Sequence, residues 1–186
     1  KIDWASMRYQ FYFTPTASNV GYGYWSHDIG GHAWSEQASD AQLYLRWLQF
    51  GAFSPILRTH SAKIASIERR FWMYPEHFPL MREAVQLRYA LVPYLYQAAR
   101  QAYDEGISPL RPMYYEHPAA AEAYAHSGQY YFGDDMIIAP VGDSITTENH
   151  LAPKDLWLPE GQWYDWYRGS LLQGGSTMTR KAALHE

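Results

Sequence analysis

Two polar clusters hold the residues best able to do chemistry: Trp25-Ser26-His27-Asp28-Ile29-Gly30-Gly31-His32 and, one helix later, Leu57-Arg58-Thr59-His60. Asp28 brings a carboxylate, Arg58 a planar cation and His60 an imidazole. Brought together, they would accept and donate hydrogen bonds to a polyol, with the arginine orienting the carboxylate. Cleavage of a glycosidic bond asks for more: two carboxylates flanking the bond, one an acid and the other a nucleophile or base. Asp28 is the one carboxylate at a convincing strand end, and Asp3 falls in an irregular first turn. Residue by residue, the sequence describes one wall of a polyol site with an incomplete catalytic pair. Trp25 and His32 are weaker members of that wall, because aromatic and histidine side chains beside glycines also serve as packing. An ion pair between Asp28 and Arg58 that ties two strands together is compatible with a binding role. A metal centre is not expected, since His27 and Asp28 as successive strand residues point to opposite faces. No cofactor is expected either: there is no phosphate-binding loop, no Gly-x-Ser-x-Gly elbow and no cysteine.

Positioning such a set requires strand, helix, strand, with polar residues where each strand stops, the arrangement by which a parallel α/β fold presents a site. Residues 19–25 and 52–57 have strand character. Ser35 or Ser39 caps the helix between them (Ser39 with Gln42 fits a capping box), and Gly51 reads as its left-handed stop. Phe11-Tyr12-Phe13 leads into a break at Thr14-Pro15-Thr16. Residues 61–76 read as a loop, with Glu68-Arg69-Arg70 solvated or making a domain contact and Phe71-Trp72 exposed. A long helix is predicted from Pro79 to Asp104, closed by Gly106 and kinked or divided by Pro93, with Leu80, Ala84, Leu87, Leu91 and Leu95 as its apolar stripe. Beyond Pro118 the pattern becomes short strands, at 130–132, 136–141, 156–158 and 163–166. Asp134-Asp135 makes a turn, and Leu158-Pro159-Glu160-Gly161 is suited to a hairpin turn. A domain boundary is placed there, giving 1–118 and 119–186.

Composition narrows the class. A net charge of −4 provides no basic patch for nucleic acid. No apolar run has the length of a membrane span. The absence of cysteine excludes disulfides without choosing a compartment. Aromatic residues reach 17%, with 8 Trp and 17 Tyr, which suits sugar faces as well as an ordinary core. A closed barrel of eight strand–helix units needs roughly 250 residues. The α/β part is far shorter, so the sequence reads as a piece of something larger whose open edge would favour self-association.

The order Trp25 to His32, then Arg46-Trp47-Leu48-Gln49-Phe50-Gly51-Ala52-Phe53-Ser54-Pro55-Ile56-Leu57-Arg58-Thr59-His60, resembles glycoside hydrolase family 31, the α-glucosidases and α-xylosidases. Residues 87–96, Arg111-Pro112-Met113, 132–141 and 157–165 extend the resemblance in the same order. It implies an α/β segment followed by all-β structure: the last strands and helices of a (β/α)8 barrel, then the start of an antiparallel β-sandwich. It also implies a retaining α-glycosidase acting on α-linked glucosides or oligosaccharides, in which Asp28, Arg58 and His60 bind hydroxyls of the sugar at the cleavage point. The family's nucleophile run, of Trp-x-Asp-Met-Asn-Glu type, is absent, and Asp3 stands too close to Trp4 to be the acid. Both catalytic carboxylates are therefore expected upstream of Lys1. His32 stands where many relatives carry an aromatic or apolar residue. The alternatives are a non-catalytic carbohydrate-binding module, or another specificity such as α-xylosidase, α-galactosidase or transglycosylase.

Overall fold

The structure, a computed structural model, describes residues 1–186 apart from 65, 66 and 68. Helix α1 (Trp4–Thr16) opens the chain, capped by Asp3, whose side chain accepts from Ser6 N at 2.6 Å. The expected break at Pro15 thus lies inside a helix. Proline is tolerated here in the last turn, and the helix hides from a periodicity argument because it is aromatic on both faces. Met7 and Phe11 are buried, while Tyr9, Tyr12 and Phe13 are exposed.

Helix α2 (Ala41–Ala52) is capped by Asp40, which accepts from Leu43 N, rather than by Ser35 or Ser39. It also runs through Gly51 instead of stopping there. A Cβ on Gly51 would lie 2.3 Å from Ile29 Cδ1, so this glycine serves the close approach of helix and strand end.

The two strands expected around α2 are reduced to a single parallel bridge, Ile29 to Thr59, with Ile29 N donating to Arg58 O at 3.0 Å. Residues 17–20 form a 3-10 turn in place of the first strand. In place of the second, the carbonyls of Ala52, Ser54 and Pro55 all accept from the Arg88 guanidinium, which withdraws them from any ladder. Helices α3 (Phe78–Ala90) and α4 (Val92–Glu105) are the predicted long helix, divided beside Pro93 and closed by Gly106 at φ +75°.

Glu68 lies outside the described residues. Its neighbour Arg69 is buried, contrary to a solvated reading: it donates to Ala38 O and Tyr74 Oη and lies over the Tyr44 ring. Trp72 is exposed, but Phe71 packs against the core.

Strand β1 (Leu110–Pro112) then pairs antiparallel with β2 (Tyr130–Phe132), and β2 with β3 (Met136–Ile138), across a short helix α5 (Ala121–Ala125). This sheet straddles residue 118. Strand β4 (Ala152–Leu158) pairs with β7 (Ser176–Ala182), and β5 (Gln162–Asp165) with β6 (Ser170–Gln173). Pro159-Glu160-Gly161 therefore does not close a β4–β5 hairpin. Those carbonyls bond elsewhere: Pro159 O accepts from Trp163 Nε1 and Gly161 O from Gly174 N.

One core joins the halves. Met7 and Phe11 of α1, Leu43, Leu45 and Leu48 of α2, and Met81 of α3 meet Leu110, Tyr130 and Phe132 of the sheet. Among the described residues, no helix is long and apolar enough to cross a membrane.

Candidate functional site

The site begins with a turn that only glycine makes cheaply. Gly30 and Gly31 sit at φ +83° and +78°, in the left-handed region, and Gly31 N donates back to Asp28 O at 2.8 Å. The reversal brings Asp28 and His32 face to face, with His32 Nδ1 3.3 Å from Asp28 Oδ2. Behind the turn, Ile29 is fully buried against α2, and its bridge to Thr59 sets the register of the second cluster. That register puts Arg58 Nη1 2.9 Å from Asp28 Oδ1. It also brings the His60 ring within 4.9 Å of the His32 ring, centroid to centroid.

Four of the five residues singled out from sequence thus converge: Asp28, Arg58, His60 and His32. The ion pair is half-exposed and adds little to stability; its effect is to aim the carboxylate. Trp25 stands apart from these four, edge-on to Phe13 and to Tyr22.

A cavity of about 610 Å3 opens beside them, lined by Asp28, His32 and Trp25 together with His27, Trp47 and, from α1, Tyr9 and Phe13. Arg58 and His60 reach it through Asp28 and His32. Tyr9 and Phe13, stacked at 5.5 Å, were not singled out from sequence. Their i, i+4 spacing is the signal that recognition of α1 as a helix would have supplied. Trp25 Nε1, Trp47 Nε1 and both His27 ring nitrogens are buried on this wall with no hydrogen-bond partner among the described residues. Asp3 also lines it, as a cap. Burial pushes its carboxyl up, but the Ser6 hydrogen bonds and the positive charge of Lys1 outweigh that and hold it ionised, unfit to act as an acid.

His27 is stacked on Phe50 at 4.5 Å and 14°, and burial pulls its pKa from 6.5 down to about 3. It is neutral in the fold, whereas the unfolded chain protonates it below pH 6.5. The unfolded state binds more protons, so the His27 contribution to stability is constant above that pH and falls by up to about 1.4 kcal/mol per unit on acidification toward pH 3. Between pH 7.5 and 5 the wild-type chain should lose about 2 kcal/mol more than His27→Phe in urea titrations with EDTA present. Equal losses would mean that His27 is not the buried neutral group.

Comparison with known proteins adds to this geometry. Residues 1–98 match the model described as the glycosyl hydrolases family 31 TIM-barrel domain, and residues 106–186 the glycosyl hydrolase family 31 C-terminal domain. A 1,6-alpha-glucosyltransferase of Sporosarcina globispora is 33% identical over 183 residues, covering 96% of this chain and 14% of that protein. An alpha-xylosidase of Saccharolobus solfataricus is 32% identical over 186 residues, covering 98% and 24%. The chain thus spans a quarter or less of the length of these relatives. Among solved structures, a GH31 dextranase of Flavobacterium johnsoniae complexed with isomaltotriose superposes with TM-score 0.86 at 31% identity, over 98% of this chain and 22% of that one. A cycloalternan-degrading enzyme of Trueperella pyogenes, in complex with a covalent intermediate, superposes with TM-score 0.85 at 30% identity, over 100% and 26%.

Proposed function

The chain belongs to glycosyl hydrolase family 31, and from that premise we propose that it supplies one wall of the sugar pocket of a retaining α-glycosidase. Its helices and parallel bridge are the end of the family's (β/α)8 barrel, and its antiparallel strands belong to the C-terminal domain. The observation that carries the reading is the convergence of Asp28, Arg58, His32 and His60, of which Asp28 and His32 line an aromatic-walled cavity.

In that pocket Asp28, aimed by Arg58, accepts from two sugar hydroxyls. His60 exchanges a further hydrogen bond with the ring substituents, and Trp25 offers an apolar face. The covalent intermediate of the Trueperella pyogenes enzyme supports a double displacement, which retains the anomeric configuration. The two carboxylates that perform it are not assigned to any of these 186 residues.

The test uses the enzyme that carries this segment, offered nitrophenyl α-glucoside, nitrophenyl α-xyloside and isomaltose, with the first-formed anomer read by proton NMR. The expected product is the α-anomer, and the 186-residue chain alone should turn over none of the three. A β-anomer formed first would replace retention by inversion. Glycan binding without turnover by the enzyme would make this a binding module. The likeness to a 1,6-alpha-glucosyltransferase supports a second outcome from the same covalent step, in which an acceptor sugar replaces water. Longer oligosaccharides would then accumulate at high isomaltose concentration.

A further inference from the structure

We propose that Asp28, His32 and His60 form a binding site for a divalent transition ion of the zinc class, and that such an ion competes with sugar for this wall. The competition, but not the ion site itself, rests on the sugar-pocket reading above. The expectation of no metal was argued from His27 and Asp28 pointing apart. His27 is indeed turned away, stacked on Phe50, but the ligands come from elsewhere. One donor atom each from Asp28, His32 and His60 lies within 4.8 Å of the other two.

Two donors about 2.0–2.1 Å from a tetrahedral ion stand about 3.3 Å apart. His32 Nδ1 and Asp28 Oδ2 are already at 3.3 Å. The exposed His60 ring, 4.9 Å from that of His32, has to turn inward. Arg58 does not take the oxygen that the ion needs. It holds Oδ1, leaving Oδ2 toward His32.

The charge balance also selects the ion. A single carboxylate, already neutralised by a guanidinium, is a poor site for calcium or magnesium, which call for several oxygen ligands. Two neutral imidazoles with one carboxylate oxygen suit zinc, leaving a fourth position open to water or a sugar hydroxyl. Asp28 and His60 are also the residues that would meet the sugar, so occupancy by an ion excludes the sugar from the wall. The two glycines that fold His32 back onto Asp28 therefore build a chelating pair as a by-product of shaping the pocket.

The test is zinc titration of the enzyme that carries this segment against a chromogenic zinc chelator, with cobalt(II) as a spectroscopic stand-in. One zinc per chain is expected, with visible cobalt bands of tetrahedral intensity. His32→Ala and His60→Ala should each weaken zinc binding by about tenfold or more and remove the bands, with unchanged far-ultraviolet circular dichroism. His32→Gln, which keeps the bulk and polarity of the site, should behave like His32→Ala. Zinc uptake unaltered by these variants would place the ion on other histidines and overturn the proposal, as would no uptake at all. Isomaltose is titrated separately, following the His60 imidazole signal by NMR. If isomaltose shifts that signal and raises the apparent zinc dissociation constant, competition stands; if it shifts the signal and leaves zinc binding unchanged, competition is overturned. If isomaltose leaves the signal unmoved while the histidine variants still lose zinc, the sugar-pocket reading fails and the ion site stands.

Discussion

His60→Ala in the enzyme that carries this segment is expected to lower kcat/KM on an α-glucoside by about 2 to 4 kcal/mol, a loss of roughly thirty-fold to a thousand-fold. The size follows from where His60 sits. Its ring stands 4.9 Å from that of His32, which in turn faces the carboxylate that Arg58 aims. Taking away one member leaves the others and the Asp28–Arg58 pair in place. The loss then reports a contact to substrate rather than a collapsed wall. Losing a contact that tightens as the sugar ring flattens toward the transition state lowers kcat more than it raises KM. Steady-state kinetics on nitrophenyl α-glucoside separates the two parameters. An unchanged kcat/KM would remove His60 from the site.

Gly30→Ala is expected to destabilise the fold by about 2 to 5 kcal/mol. Two costs add. At φ +83° an L-residue loses roughly 1–2 kcal/mol of backbone energy. In addition, the new Cβ would meet Tyr44 Cδ2 at 2.6 Å and Arg69 Cδ at 2.7 Å. Overpacking of that kind costs typically about 1–3 kcal/mol. Neither neighbour can yield easily: Tyr44 is 1% exposed and its hydroxyl donates to Arg69 O, while Arg69 is itself buried under Tyr74. Gly21→Ala is the control, with nearly the same φ of +80° but nothing within 4 Å of its added Cβ. Urea denaturation should show Gly30→Ala losing at least twice as much stability as Gly21→Ala. Equal losses would mean that the backbone conformation alone matters and that the turn is not clamped by Tyr44 and Arg69.

The legible part of this protein was its punctuation and its polar clusters. Asp28, Arg58 and His60 could be brought together from sequence because each follows an apolar stretch on either side of a helix, and the bridge between Ile29 and Thr59 is the geometric form of that inference. Pro93 and Gly106 marked the division and end of α3 and α4 because their backbone constraints act locally. What stayed hidden depended on partners far away in the chain. Helix α1 carries aromatic residues on every face, so its period is flat, and what fixes it is the Asp3 cap and packing against α2. Gly51 looked like a stop because glycine usually is one, and only the proximity of Ile29 shows its other use. The strand at 52–57 was lost to Arg88, more than thirty residues away, whose guanidinium claims its carbonyls. Arg69 reads as solvated beside Arg70, yet it is buried over the Tyr44 ring and donates to the Tyr74 hydroxyl. The pairing of β4 with β7 around the β5–β6 hairpin is a long-range choice that turn chemistry at Pro159 could not reveal. His32 was identified as a wall residue, but its approach to Asp28 depends on two successive left-handed glycines, a conformation that the sequence permits without dictating.

The most direct measurement is a crystal structure of the enzyme carrying this segment with glucose bound at the cleavage point. The expected result is two hydroxyl oxygens within hydrogen-bond distance of Asp28, a third contact to His60, and the Asp28–Arg58 pair intact. Glucose bound elsewhere in the barrel, with Asp28 and His60 turned only toward Arg58 and His32, would show that this cluster ties strand ends together and does not hold the substrate.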